Sequence, residues 1–180
     1  MTVQIIRRAL VALVLAAVSF GASALTTQQI ATLKTACTAD TTCNALAVAA
    51  DDFGLADWFN APSTFIVWRT SVGAEEIMQS DSFDWTRVDN LSNGKARIWD
   101  QMFRFGAINP SKANVRAGID AVWVGTAADL AVRAAVYVVC KRAATRAEQF
   151  LASGTGTTGT PGFLTFEGVL TFADASLIRS

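Results

Sequence analysis

Histidine is absent from this chain of 180 residues. Without an imidazole there is no Ser-His or Cys-His catalytic pair, no histidine general base and no zinc site built on a ring nitrogen. Cysteine is scarce: three residues are too few for a four-thiolate metal centre. Net charge is missing as well, with 15 basic residues against 15 acidic ones, so the overall composition makes no case for a nucleic-acid binder. Charged residues are only 17% of the chain and apolar ones 52%, which is far from a disordered composition and ample for a packed core. The length suits one domain. Most familiar enzyme classes are disfavoured before any motif is sought.

Residues 1–24 stand apart from the rest. Arg7 and Arg8 precede an apolar run over 9–20, and Ala22-Ser23-Ala24 follows in a small-x-small pattern before Leu25. That layout predicts a secretory signal peptide cut after Ala24. The run is too short for a permanent membrane span. The alternative expectation is a start codon assigned too far upstream, with translation beginning near Leu25.

From Leu25 onward the pattern predicts an α+β, mainly α chain, with 25–180 as a single structural domain. Thr26 or Thr27 can cap a helix to about Cys37, a short helix follows near 44–50, and Asp51-Asp52 restart the chain toward 57–60. Residues 64–70, TFIVWRT, are β-branched and aromatic and read as a strand. A turn of helix is expected over 73–79. Apolar positions Leu91, Ile98, Met102 and Phe105 predict a helix over 86–105. Ser111 should cap a helix to about residue 123, and Thr126 a longer one to about 151. The tract 153–162, SGTGTTGTPG, reads as a flexible loop. Alternation of Leu164, Phe166, Leu170 and Phe172 with polar residues predicts a half-buried strand over 163–172. Its expected partner is the strand near 64–70, because a lone strand leaves backbone groups unpaired. The expected architecture is a helical bundle with this small antiparallel β element on one flank.

Motifs with chemical meaning mostly dissolve. Gly154-Thr-Gly156-Thr-Thr-Gly159 matches the dinucleotide string, but it follows a helix and leads into a turn and a strand, the reverse of the required context. Ser92 and Lys95 have the S-x-x-K spacing, yet Ser92 suits a helix cap and Lys95 a surface charge. Asp51-Asp52 and Glu75-Glu76 are adjacent pairs whose side chains diverge, and helix starts explain both. Cys37 and Cys43 can close a small disulfide loop if the protein is exported, and stay free in a reducing compartment. Cys140 reads as core. No catalytic residue, cofactor, metal or small-molecule substrate is expected.

Charge placement says more than any motif. Residues 25–86 hold two basic and eight acidic side chains, a net of −6, and residues 87–146 hold ten basic and four acidic, a net of +6. Either the two halves neutralise each other within one domain, or the basic helices meet nucleic acid, an acidic partner or the acidic half of an identical neighbour. The candidate interface is Arg97, Arg104, Lys112 and Arg116, with Lys95 beside them, against Asp51, Asp52 and Asp57. Arg69, in an otherwise apolar strand, is expected to pair with a carboxylate, Glu167 being a candidate.

Four stretches of the body resemble a family of tailed-bacteriophage proteins encoded among the head and neck genes: LTTQQIATLKTA, FIVWRTSVGAEEI, FDWTRVDNLSNGKARIWDQMFRFGAINPSKANVRAGIDAVW and KRAATRAEQFLASGTGTTGTPGFLTFEGVLTFADA. The likeness covers nearly all of 25–180. Its most specific parts are VWRTSV, Gly94-Lys95-Ala96-Arg97, INPSKANVR and the passage from GTGT to FEG. The resemblance implies a virion structural protein without enzymatic activity, assembled in the bacterial host cytoplasm. Its partners are then identical subunits and the portal, capsid or tail proteins, with non-specific contact to packaged DNA. A ring-forming neck adaptor or completion protein, a head-to-tail connector, is the first expectation, and a capsid-decoration or tail-associated protein the alternative. The leader departs from that picture and carries an expectation of another class, a periplasmic or secreted binding domain stapled by Cys37 and Cys43.

Overall fold

Helix starts in this chain are set by side-chain caps. α1 (Thr27–Ala39) begins at Thr26, whose hydroxyl accepts the Gln29 N–H at 3.2 Å while Gln29 Oε1 accepts the Thr26 N–H at 2.9 Å. Asp40 ends that helix and starts α2 (Thr41–Val48), its carboxylate accepting the N–H groups of Thr42 and Cys43. A disulfide joins Cys37 to Cys43 across this corner. Asp51 caps α3 (Asp52–Asn60) through the Gly54 N–H. A computed structural model describes residues 25–180; the leader-like segment 1–24 lies outside the described residues.

β1 (Pro62–Trp68) is the strand expected over 64–70, but its partner is different. It pairs antiparallel with β4 (Lys141–Thr145), placing Ile66 opposite Ala143, Val67 opposite Arg142 and Trp68 opposite Lys141. Sequence pattern puts 126–151 in one helix because KRAAT has no strand periodicity and four good helix formers. The chain instead divides into α7 (Ala127–Val139), β4 and α8 (Arg146–Leu151). At the break the Cys140 carbonyl accepts the Arg69 N–H at 3.0 Å, and Thr145 recaps the chain in a box with Glu148.

Residues 163–172 do not form the expected strand. Asn60 takes the strand's place: its Oδ1 accepts the Leu170 N–H and its Nδ2 donates to the Leu170 carbonyl, both at 2.8 Å. Gly168, at φ +149°, breaks the extended run, and Phe172 opens α9 (Phe172–Arg179). The tract 153–162, read as a flexible loop, is tied along the other edge of β1. The Ile66 N–H donates to the Gly156 carbonyl, the Trp68 N–H to that of Gly162, and the Gly162 N–H back to Ile66.

The remaining segments are short. β2 (Val72–Gly73) leads into α4 (Ala74–Met78), whose Glu76 accepts the Gly73 N–H. The helix expected over 86–105 is instead a 3₁₀ turn at Trp85–Arg87 and then α5 (Asn93–Met102), because Ser92 caps a fresh start by accepting the Lys95 N–H. β3 (Ala107–Ile108) pairs antiparallel with β2. α6 (Ala113–Val122) starts one residue later than expected, after Lys112, since the Ser111 hydroxyl is engaged by Asn109. The α+β, mainly α class read from the sequence is the one adopted.

Two apolar clusters fill the interior. Leu33, Leu55, Phe59, Leu151, Phe166 and Ile178 pack around the disulfide between α1, α2, α3, α8 and α9. Trp99, Trp123, Phe83, Ile119, Val132 and Val136 fill the space between α4, α5, α6 and α7. Trp68 at the end of β1 enters the second cluster, while α8, running straight out of β4, enters the first. The sheet therefore sits at the joint between the two.

Phe65 packs against the Gly/Thr tract from β1. A Cβ built on Gly156, which sits at φ +65°, would lie 2.1 Å from the Phe65 ring, whereas one on Gly159 would meet nothing within 4 Å. Gly156→Ala should therefore destabilise the protein by about 2 kcal/mol, from left-handed strain plus displacement of the ring. Gly159→Ala should leave urea denaturation unchanged, and equal midpoints for the two variants would contradict the packing described.

Candidate functional site

The two charged halves do not neutralise each other. Among the described residues every ion pair lies within one half or involves the C-terminal segment: Arg69 with Glu76, Arg87 with Asp129, Arg133 with Asp120, Arg142 with Glu148 and Glu167, and Arg179 with Asp52. None joins 25–86 to 87–146. Arg69 has the carboxylate partner expected of it, but the partner is Glu76, at 2.6 Å, one helical turn beyond β2. Glu167 instead accepts from Thr70 and pairs with Arg142.

The candidate cations separate into two groups. Arg116 is engaged inside the fold: Nη1 donates to the carbonyls of Pro110 and Ser111 at 2.7 and 2.9 Å, and the guanidinium lies over the rings of Trp68 and Phe163. Lys95 donates to the Val124 carbonyl just past α6, where a cation is favoured by the helix dipole. Arg97, Arg104 and Lys112 are exposed and have no carboxylate within ion-pair distance among the described residues.

α5 and α6 form an antiparallel hairpin, since Lys95 reaches Val124 at one end and Met102 touches Gly118 further along. Arg97 and Gln101 border one shallow surface of α5, and Arg104 donates to Gln101 from the turn that follows. Phe105, 93% exposed, stands next to it, and Lys112 begins α6 on the far side of the same connection. Asp100 is the exposed carboxylate of this turn. The tip of the hairpin is thus cationic with an apolar side chain at its apex.

The acidic candidates shrink in the same way. Asp51 is the α3 cap, and Asp52 is bound by Arg179 through Oδ1 at 2.8 Å and Oδ2 at 3.3 Å. That bond to Arg179 holds the Asp52 carboxyl below its ordinary range. Asp57 on the outer side of α3 has no described cation beside it. Of the candidate residues, those left exposed without an ion pair or a capping role are Arg97, Arg104 and Lys112 on one element pair and Asp57 on another.

Neither remaining cysteine-based chemistry nor the glycine motif survives as a site. Burial pushes the Cys140 thiol up to about 12, so it carries almost no thiolate at neutral pH. Gly156 and Gly162 close the tract against β1 and Phe65, and Gly154 lies against Gly162. A feature without a sequence motif is an open groove of about 740 Å³ between α7 and β4. Its signal in the sequence is the apolar line Leu130, Ala134 and Val138 at helical spacing, obscured by reading 126–151 as one continuous helix.

Beneath the groove, Glu148 is 2% exposed and holds the sheet to α8. Its two oxygens take Nη1 and Nη2 of Arg142 at 2.7 Å each, and Oε2 also accepts the Thr145 N–H. Burial alone would raise this carboxyl, but the Arg142 and backbone bonds outweigh it and hold the group below its usual range. A carboxyl depressed in the folded state contributes stability that is present above the unfolded value, about 4.3, and is lost as pH falls through the folded one. Glu148→Gln should therefore lower stability by about 3 kcal/mol at pH 7, with the gap to wild type closing below about pH 4. A gap in Tm that stays constant from pH 7 to pH 3 would contradict this. No family model, curated protein or solved structure matches the chain.

Proposed function

We propose that the chain is a non-enzymatic virion subunit of a tailed phage, a head-to-tail connector that packs with copies of itself into a ring. The observation that carries this reading is the uncancelled charge: Arg104 and Lys112 lie exposed in the α5–α6 connection that carries Phe105, Arg97 lies exposed two turns back along α5, and Asp57 lies exposed on α3. A surface that pairs with a different surface of the next copy makes a heterologous contact, which builds a ring where the rotation between copies closes and a filament where it does not. Charges left unpaired within the monomer fix register and exclude wrong partners at such a contact. The likeness of VWRTSV, INPSKANVR and the GTGT-to-FEG passage to head and neck proteins of tailed phages supplies the biological setting.

The test is charge reversal. Arg97→Glu with Arg104→Glu should abolish ring assembly on purified portal, scored by negative-stain microscopy, with helix content unchanged by circular dichroism. Adding Asp57→Arg to that double variant should restore part of the assembly. Normal assembly of the double variant would sink the inter-subunit charge contact. Salt-sensitive retention of DNA by wild type, lost in the double variant, would turn the reading toward a DNA-lining surface.

A second reading has its own observation. The Cys37–Cys43 disulfide suits an oxidising compartment, and the 1–24 pattern suits export, which together support a periplasmic or secreted binding domain. Intact mass of the native protein separates the two. A chain beginning at Leu25 and two hydrogens lighter than its reduced form favours export; the protein in purified virions favours the connector.

A further inference from the structure

Helix α7 leaves part of its apolar surface outside both cores. Leu130, Ala134 and Val138 stand one above another at i, i+4 and i+8, with Leu130 and Val138 41% and 71% exposed. They form one wall of the groove, and Ile66, Lys141, Arg142 and Ala143 form the other.

The strand ladder gives this groove an open hydrogen-bonding side. Ile66 and Trp68 direct their N–H groups to Gly156 and Gly162, away from β4. Their partners across the ladder, Ala143 and Lys141, are therefore the non-hydrogen-bonded positions of an antiparallel pair. Those two residues turn their own N–H groups to the outer edge of β4, where no described strand runs. The groove takes residues from both faces of the strand, Lys141 and Ala143 from one and Arg142 from the other, so it reaches that edge.

Charge in the groove is also unbalanced. Arg142 at its border is neutralised by Glu148 and Glu167, and Arg133 faces Asp120 at 3.5 Å, a carboxylate that also accepts the Tyr137 hydroxyl at 2.9 Å, which leaves Lys141 as the unmatched cation. Lys141 has no described carboxylate beside it. It donates to the Thr158 carbonyl and lies over Trp68 and Tyr137. An edge lysine commonly blunts a strand by projecting into water. This one is folded back across the sheet, which leaves the Lys141 and Ala143 N–H groups uncovered, while the Ala143 carbonyl accepts from Arg142 Nη1 at 3.1 Å.

We propose that the groove receives an extended segment of a partner protein, added as a strand beside β4. Alternate apolar side chains of that segment lie against Leu130, Ala134 and Val138, and a carboxylate lies near Lys141. Main-chain bonds to Lys141 and Ala143 give affinity and the alternating pockets give selectivity. This surface is separate from the α5–α6 tip and does not depend on the charge contact there.

A random decapeptide library displayed on a carrier and panned against the full chain tests it. Enriched peptides should share a carboxylate flanked by apolar residues at every second position. Their affinity should fall at least tenfold for Lys141→Glu and for Val138→Asp, the latter on a side chain exposed enough to leave folding intact. Bound peptide should slow amide exchange at Lys141 and Ala143. Arg97→Glu with Arg104→Glu should bind the same peptides as wild type does, so loss of ring assembly and loss of peptide binding are read independently. Failure to enrich any sequence, apolar residues at helical spacing, or equal binding by Lys141→Glu and Val138→Asp would each overturn the proposal.

Discussion

A strand needs hydrogen-bond partners on its buried edges, and β1 dictates the arrangement of most of this protein because it finds them in two distant places. On one edge it takes β4, which forces α7 to stop at Cys140 and the chain to recap at Thr145. On the other it takes the Gly/Thr tract, which is held there by Gly156 and Gly162 because only glycine lets the backbone approach the Phe65 ring so closely. The bidentate Arg142–Glu148 pair then locks the strand to α8, and Glu167 and Thr70 extend the network to the segments on either side. Leaving Glu148 without its partner would strand a buried charge, so this corner is specific as well as stable.

The same joint separates two apolar clusters. Helices α1 to α3 gather around the disulfide, and the basic hairpin α5–α6 gathers around Trp99 and Trp123. Ion pairs form on both sides of the joint, and Arg97, Arg104, Lys112 and Asp57 are left without one among the described residues. A protein built for solubility alone has no need of cations clustered at one tip beside an exposed phenylalanine. Such a tip and an open strand edge elsewhere are the features on which the two proposed contacts rest. The two proposals call on different physics: the tip offers long-range charge, the groove offers main-chain bonds and apolar shelves.

Local chemistry was legible from the residues. Thr26, Ser92 and Thr126 cap helices where Ser and Thr preceding apolar periodicity say they should, because a cap depends on bonds spanning three residues. The 64–70 strand, the burial of Cys140 and the closeness of Cys37 and Cys43 follow from equally local signals. The charge asymmetry is a property of the sequence itself.

What the residues alone did not disclose depends on partners far away in the chain. KRAAT is a strand because β1 lies beside it, and 163–172 is not one because Asn60, 110 residues before Leu170, answers its backbone with a side-chain amide. Arg116 and Asp52 looked as free as Arg97 and Asp57, yet Trp68 and Arg179 engage them. Periodicity and composition therefore determined the class of fold, the helix starts and the sum of the charges. Tertiary packing decided which strands pair and which charges remain on the surface, since both are settled by contacts whose sequence separation no local pattern encodes.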